Sequence, residues 1–193
     1  MNVKTAALWE WGCGFVVVVG IMNELPVRKN IRLQGYDYSK DGHYFVTVCV
    51  KNKHELLGHI VGSGFHARPS IALTDLGIEV QKSIEYICAN TKGIDIPQYV
   101  IMPNHVHMII ILNTAERNEE GTVGHGSPTL QAVVGRIKSY TAKKWSEMCN
   151  TKYDTFWQPR FYDHIIRGES EYNRIRQYIN ENPANWHEDE YNV

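Results

Sequence analysis

Two histidines separated by one residue, His105 and His107, are the side chains of this sequence best placed to do chemistry. They follow a Pro-Asn turn and enter the apolar run 108–111, a pattern that predicts a strand. Alternate residues of a strand point to the same face, so the two imidazoles should lie side by side, with Val106 on the opposite face. Two imidazoles held on a rigid strand provide half of a metal site. Histidines with a purely structural role are the alternative.

A second candidate is Tyr178, which lies in the segment before Pro183. Apolar residues recur at helical spacing here, which predicts a last helix that ends near the proline. Tyr178 falls on the flank of this buried stripe, so packing can hold its ring while the hydroxyl reaches the edge of a cleft. Asn182 lies one turn further on the same face. A tyrosine of the packing layer with a solvent-facing hydroxyl is the alternative. The stripe comprises Tyr172, Ile175 and Ile179.

The elements that must position these side chains follow the order strand, helix, strand, strand, helix, strand, helix. This order predicts a single α+β domain, ferredoxin-like, with a mostly antiparallel sheet and packed helices. The predicted elements are a strand at 44–50, a helix capped by Thr74 and running to about Asn90, strands at 96–102 and 105–112, a helix opened by Ser127-Pro128 and running to about Met148, a strand at 161–167, and a last helix capped by Ser170.

Composition and charge place only weak limits on the function. The chain has 193 residues, 43% of them hydrophobic, which suits one globular domain. The net charge of −1 does not require a nucleic-acid partner. Between residues 136 and 176, however, nine Lys/Arg stand against five acids, a local excess of four positive charges mixed with Tyr and Trp. Such a stretch suits a phosphate-binding face, and a solvated helix surface is the alternative.

The four cysteines and the first residues of the chain bear on its compartment. No cysteine belongs to a C-x-x-C pair, which favours reduced core thiols in a cytosolic protein over disulfides or a zinc site. Residues 1–21 hold an apolar run too short to span a bilayer and lack a convincing cleavage site. We therefore expect Met22 to be the biological start and 1–21 to be an extension, with a short added strand as the alternative. The cysteines are Cys13, Cys49, Cys88 and Cys149.

Several strings together resemble a known family. The segment 99–107, ending in His-Val-His, resembles the His-hydrophobic-His signature of the one-tyrosine single-strand transposases. Four further strings resemble the branch called REP-associated tyrosine transposases, and the resemblance covers roughly 23–187, in order. It implies a transposase-like catalytic domain over 22–193 in a cytoplasmic, nucleoid-associated protein. The four strings lie at 32–38, 44–47, 156–167 and 178–183.

The resemblance implies a mechanism for these residues. Tyr178 would attack a phosphodiester of single-stranded or hairpin DNA, leaving a 5′-phosphotyrosine and a free 3′-hydroxyl. Asn182 would complete a metal site with His105 and His107. The metal would be Mn²⁺ or Mg²⁺, of which Mn²⁺ suits histidine better. The natural targets would be repetitive extragenic palindromes.

Six further side chains are candidates for DNA contacts. One pair could bind a phosphate and stack on a base, a second pair lies on a predicted strand, and a third pair on a predicted helix. Structural or merely solvated roles are the alternative for each of them. In that order, the pairs are Arg160 and Trp157, His164 and Arg167, and Lys143 and Lys144.

Two other functions remain open at this point. One is a nucleic-acid-binding protein that descends from such an enzyme and has no activity, which intact His105, His107 and Tyr178 argue against. The other is a metal-dependent phosphatase or hydrolase unrelated to DNA, which would need more carboxylate ligands near the histidines, and none lies within 97–112. The sequence predicts no membrane partner. It leaves open whether the protein is a monomer or a homodimer, and whether the tyrosine serves its own chain or a partner.

Overall fold

The histidine strand is an inner strand of a four-stranded antiparallel sheet. The computed structural model describes residues 37, 40–62, 69–113, 129–151 and 155–192, all within one compact unit, Ile31–Val193. The predicted extension 1–21 and the predicted loop at 115–126 lie outside the described residues. No helix in the described part of the chain combines the length and the apolar character that crossing a bilayer would require.

The described elements follow the predicted order, with one addition. The sheet has the strand order β4-β5-β1-β6, and β5 lies between β1 and β4, the two strands that helix α1 connects. This is the ferredoxin-like arrangement predicted from the sequence. The addition is a separate hairpin of β2 and β3. The elements are β1 (Gly42–Cys49), β2 (Gly58–Val61), β3 (Ser70–Leu73), α1 (Asp75–Asn90), β4 (Ile94–Ile101), β5 (His105–Leu112), α2 (Leu130–Cys149), β6 (Tyr162–Ile166) and α3 (Glu169–Glu181).

Local capping explains where the helices begin. The Thr74 hydroxyl accepts a hydrogen bond from the Gly77 amide and opens α1 as predicted. Helix α2 begins after Thr129, whose hydroxyl accepts from the Ala132 amide, later than the predicted Ser127-Pro128 opening, which lies outside the described residues.

Helix α3 corrects the sequence prediction at its start and ends near Pro183, as predicted. It begins at Glu169, so Ser170 lies inside the helix and does not cap it. The Glu171 carboxylate instead accepts a hydrogen bond from the Arg167 amide, which satisfies a donor at the helix start. At the other end Asn182 keeps helical angles (φ −55°, ψ −42°) in spite of the following proline. Its side chain therefore continues the helix face that carries Tyr178.

Successive side chains of β5 point to opposite faces of the sheet. Val106, Met108 and Ile110 face the main core with helices α1 and α2. On the opposite face, Ile109 packs against Ile179 and its neighbours on α3, which lies over β4 and β5. His105 and His107 have the parity of Ile109 and therefore share the α3 face.

Candidate metal and nucleophile site

The two histidines meet as the strand period predicts. Both are buried on β5, and their Nε2 atoms lie 3.0 Å apart. Opposite them on β1 stand Cys49, which pairs with His105, and Thr47, which pairs with His107. The backbone ladder on both sides fixes the strand, so the rings are held before any ligand arrives.

Asn104 determines which nitrogen of His105 carries the proton. The Asn104 amide nitrogen donates to the backbone carbonyls of Lys53 (3.1 Å) and Tyr191 (2.8 Å). Its Oδ1 is therefore the atom that faces His105 Nδ1 at 2.9 Å, and because Oδ1 can only accept, Nδ1 must carry the hydrogen. His105 Nε2 is thus left with a lone pair, the form in which imidazole binds a metal.

His107 is fixed by a hydroxyl and an aromatic ring. Its Nδ1 lies 2.8 Å from the Oγ1 of the buried Thr47, and its ring stacks on Phe45 with centroids 5.2 Å apart. When Nδ1–H donates to Thr47, the His107 Nε2 also presents a lone pair. In this tautomer two lone pairs lie 3.0 Å apart and repel each other, and a cation that both can bind removes the repulsion. In the other tautomer the Thr47 hydroxyl donates to Nδ1, and His107 Nε2–H donates to His105 Nε2.

Both imidazoles are neutral at physiological pH. Burial lowers the pKa of His105 to about 3, with the nearby positive charge of Lys53 as a smaller cause. Burial also lowers the pKa of His107 well below its ordinary value, and the neighbouring His105 adds to the effect. Because protons do not compete for the Nε2 atoms near pH 7, these atoms are available to a metal ion.

A carboxylate from the end of the chain joins the pair. Ligand atoms of His105, His107 and Asp189 all lie within 4.8 Å of one another. The Asp189 carboxylate accepts hydrogen bonds from the Tyr191 amide (2.7 Å) and from the Asn182 side chain (3.2 Å). Sequence reasoning missed Asp189, which lies far from the histidine strand along the chain. The need of Mn²⁺ or Mg²⁺ for a hard oxygen ligand was the one signal that pointed to an acid.

Asn182, the predicted third ligand, lies at the same place. Its side chain is buried, and its amide nitrogen faces the Asp189 carboxylate, which can only accept. Its Oδ1 has no hydrogen-bond donor among the residues that the structure describes. A buried acceptor in this position is costly unless a cation or a donor satisfies it. The donor set of two imidazoles, a carboxylate and this amide oxygen therefore fits a divalent metal.

The tyrosine reaches the histidines of its own chain. The Tyr178 hydroxyl lies 3.2 Å from His107 Nε2, and its ring meets the edge of Phe45 at 6.0 Å. The residue is 43% exposed, so part of its side chain is accessible to solvent. Burial of the hydroxyl raises its pKa, and the negative charge of Asp189 raises it further. The phenol is therefore protonated at neutral pH.

The structure does not bring the other candidate residues together at this site. Lys143 and Lys144 lie on α2, which packs on the opposite face of the sheet from His107, and Lys144 pairs with Glu147 at 3.0 Å. Arg160 is exposed in the segment before β6, where its backbone carbonyl accepts from Lys138. Lys143, Lys144 and Arg160 therefore do not form one phosphate-binding group with Tyr178.

His164 and Arg167 lie on the β6 side of the site. His164 is exposed on the face of the sheet that carries Phe45, its partner in the register of β1 and β6. Its Nε2 lies 2.8 Å from the Glu171 carboxylate. Arg167 is exposed directly after β6. Both are close enough to the sheet face to remain candidates for DNA contacts.

Trp157 is a core residue. Only 1% of its surface is exposed, and its Nε1 donates to the Thr141 hydroxyl at 2.8 Å. The ring packs on Phe156 with centroids 4.4 Å apart. This burial excludes stacking on a base in the described conformation, and Trp157 instead braces the segment before β6 against α2.

Replacing Trp157 by Phe tests this core role. The change removes a buried hydrogen bond and part of the ring, so we expect the free energy of unfolding to fall by about 1–3 kcal/mol. Urea unfolding measures the loss. The affinity for single-stranded DNA should stay the same, and a selective loss of that affinity with unchanged stability would contradict the assignment.

Comparison with known proteins agrees with the fold. No family model matches the chain. An uncharacterised protein of Haemophilus influenzae is 34% identical over 180 residues, which cover 86% of this chain and 93% of that protein. A solved structure of the REP-associated tyrosine transposase bound to a REP hairpin is similar with a TM-score of 0.51 and 23% identity. The similarity covers 78% of this chain and 72% of that one. The chain therefore belongs to the family of the Haemophilus influenzae protein, and its fold is that of the REP-associated tyrosine transposase, as the sequence resemblance implied.

Proposed function

We propose that the chain is a metal-dependent DNA endonuclease and strand transferase that acts on single-stranded or hairpin DNA. One observation carries the proposal: the Tyr178 hydroxyl lies 3.2 Å from Nε2 of His107, beside the neutral His105 and the Asp189 carboxylate. A candidate nucleophile and a set of candidate metal ligands thus lie next to each other. The four-stranded sheet holds the two histidines, α3 holds the tyrosine and is followed by Asn182, and Asp189 lies further along the chain.

The chemistry follows from a phenol next to a phosphate-binding group. The Tyr178 phenol releases its proton to solvent, its oxygen bonds to the phosphorus, and the bond from the phosphorus to the 3′ oxygen of the preceding nucleotide breaks. The products are a 5′-phosphotyrosine and a 3′-hydroxyl, which takes up a proton. Attack by a 3′-hydroxyl on the phosphotyrosine reverses the step and joins strands. The energy of the phosphodiester is thereby kept in the protein linkage.

Four side chains would hold the metal. These are His105 and His107 through Nε2, Asp189 through its carboxylate, and Asn182 through the Oδ1 that lacks a donor among the described residues. Two imidazoles with oxygen ligands favour Mn²⁺, and Mg²⁺ is the second choice. When bound, the metal would neutralise phosphate oxygens and so favour the charged transition state.

Replacing Asp189 by Asn tests the carboxylate. The change keeps the size and one acceptor oxygen for the Tyr191 amide but removes the charge, so we expect Mn²⁺ affinity to fall at least ~10-fold. Isothermal titration calorimetry measures the affinity. Glu190→Gln is the matched control, because Glu190 is exposed next to Asp189 and lies outside the ligand group. Equal losses in both variants would show that only net charge matters.

The DNA partner is proposed from fold and site together. The solved relative with the same fold is bound to a REP hairpin. A partly exposed tyrosine can reach a phosphodiester of an unpaired strand, and a palindromic hairpin presents such a strand beside its stem. We therefore propose that repetitive extragenic palindromes are the natural targets.

A metal-dependent hydrolase is the second candidate function, and Asp189 favours it. The sequence offered no carboxylate near the histidine strand, but the structure supplies one from the end of the chain. Metal-activated water would then cut the phosphodiester without a protein linkage. The position of Tyr178 argues for the transferase.

The two candidates are separated by one incubation. Labelled single-stranded hairpin DNA and the same sequence as a full duplex are mixed with the protein and Mn²⁺ or EDTA, and the products are separated on a denaturing gel. The transferase gives Mn²⁺-dependent, protein-linked DNA from the single strand only. Free fragments without any protein linkage would identify the hydrolase. The absence of any product would rule out both proposed functions.

A further inference from the structure

Two aromatic side chains stand beside the cleft on the same face of the sheet. Phe45 lies on β1 and Tyr162 on the neighbouring β6. Phe45 shares this face with Thr47, and Tyr162 shares it with Ile166, which packs toward α3. Both aromatics therefore project toward the side of the sheet that carries the histidines.

These side chains form a row that leads to the nucleophile. The Tyr162 and Phe45 rings have centroids 6.4 Å apart at 71°. Phe45 in turn meets Tyr178 at 6.0 Å and 82°, and stacks on His107 at 5.2 Å. The row thus runs from the edge strand of the sheet to the cleft without interruption.

Helix α3 leaves the outer part of this row accessible. It packs over β4 and β5, on the other side of β1 from β6. Tyr162 is accordingly 42% exposed, a large fraction for an aromatic ring on a strand, whereas Phe45 is partly buried beneath its neighbours. Packing of the protein interior therefore does not account for an aromatic residue at position 162.

The surroundings of the row suit a nucleic-acid strand. Exposed arginines stand before and after β6, at Arg160 and Arg167, and His164 is exposed on β6 itself. Guanidinium groups bind the phosphates of a backbone, while aromatic rings stack with bases of any sequence. Only an unpaired base offers its faces to such a ring, since a duplex keeps them stacked inside.

We propose that Tyr162 and Phe45 form a stacking platform for unpaired bases that adjoin the phosphate attacked by Tyr178. The platform rests on the proposed function and adds to it the means by which the site selects a single strand. One base stacks on the exposed ring of Tyr162, and the partly buried ring of Phe45 forms the inner end of the row, next to Tyr178. The platform binds bases and takes no part in the chemical step.

The platform is tested by binding, without cleavage. In EDTA, fluorescence anisotropy measures the affinity for a labelled oligo-dT and for an abasic strand of the same length. Tyr162→Leu should bind oligo-dT about 10-fold more weakly, the loss of one stacked base. Tyr162→Phe keeps the ring and should bind as the wild type does. Tyr86→Leu is the matched control, because Tyr86 is an exposed tyrosine on α1, across the sheet.

The abasic strand makes the test specific for stacking. Wild type should prefer oligo-dT over the abasic strand about 10-fold, and Tyr162→Leu should lose this preference because no ring remains to stack on. A thermal melt confirms that the variant folds. Equal affinities of wild type and Tyr162→Leu for oligo-dT, or no preference of the wild type for bases, would overturn the platform.

The experiments distinguish failure of the platform from failure of the proposed function. If a protein-linked strand forms and Tyr162→Leu still binds oligo-dT normally, the platform alone is wrong. If Tyr162→Leu loses base-dependent binding but no DNA becomes linked to the wild type, the platform stands and the transferase function is wrong.

Discussion

Replacement of Tyr178 by Phe should abolish the covalent attachment of DNA. The change removes the only oxygen that the proposed mechanism uses as a nucleophile, so we expect the yield of linked strand to fall at least ~10³-fold. The ring can keep its contact with Phe45, and the residue is partly exposed, so stability should change by less than about 1 kcal/mol. Denaturing gels of labelled DNA measure the yield.

Tyr172→Phe is the matched control for this experiment. Tyr172 lies on the same helix, partly buried against Ile109 and its neighbours, and should retain activity. A linked strand that persists in Tyr178→Phe would mean that another residue attacks. Tyr162 and Tyr172 would then be candidates, and so would Tyr191, whose ring lies 4.5 Å from that of His105.

Loss of both histidines should remove the metal and with it the cleavage. We expect each single change, His105→Ala or His107→Ala, to weaken Mn²⁺ binding at least ~10-fold and the double change to abolish it in calorimetry. Mn²⁺ should raise the melting temperature of the wild type but not of the double variant, because ligands stabilise only the state that binds them. Affinity for single-stranded DNA in EDTA should persist, since Tyr162 and the arginines are untouched.

A surface histidine provides the control for the double variant. His59 is exposed on β2, outside the ligand group, and His59→Ala should leave Mn²⁺ binding unchanged. Both site histidines are buried, so melts without metal are needed to separate misfolding from loss of the ligands. Normal cleavage by a folded double variant would show that the metal, if any, binds elsewhere.

Periodicity predicted the parts of the site that lie on regular elements. Residues 105 and 107 had to share a face of any strand, and the structure confirms that they do. Tyr178 was predicted on the flank of an apolar stripe, and the structure places it there, with Ile175 and Ile179 buried and the tyrosine partly exposed. The ferredoxin-like α+β class followed from the order of the elements, because few topologies bury one face of each.

The positions of Asp189 and Trp157 depend on tertiary packing, which the periodicity of the sequence does not predict. Asp189 joins the histidines because the end of the chain turns back over the site, where Asn104 binds the Tyr191 carbonyl and Lys53 binds the Glu190 carbonyl. None of these contacts is local in sequence. Trp157 lies in an irregular segment without a period, so nothing in the sequence indicated that its ring points into the core.

A count of charges likewise did not reveal which face carries them. The basic stretch 136–176 spans α2, β6 and α3, which lie on different layers of the fold. Lys143 and Lys144 contribute to that count but project from α2, across the sheet from the tyrosine. Helix α3, which carries Tyr178, also bears the exposed Arg174 and Arg176, so position in the fold and not the count decides which charges can face DNA.

The central claim is that Tyr178 becomes bonded to DNA, and peptide mapping of the linked product tests it most directly. Protein incubated with Mn²⁺ and single-stranded hairpin DNA is digested with nuclease and protease, and the peptide that carries the residual nucleotide is sequenced by mass spectrometry. The mechanism predicts a 5′-linked nucleotide on Tyr178. A nucleotide on any other residue, or cleaved DNA with every tyrosine unmodified, would contradict it.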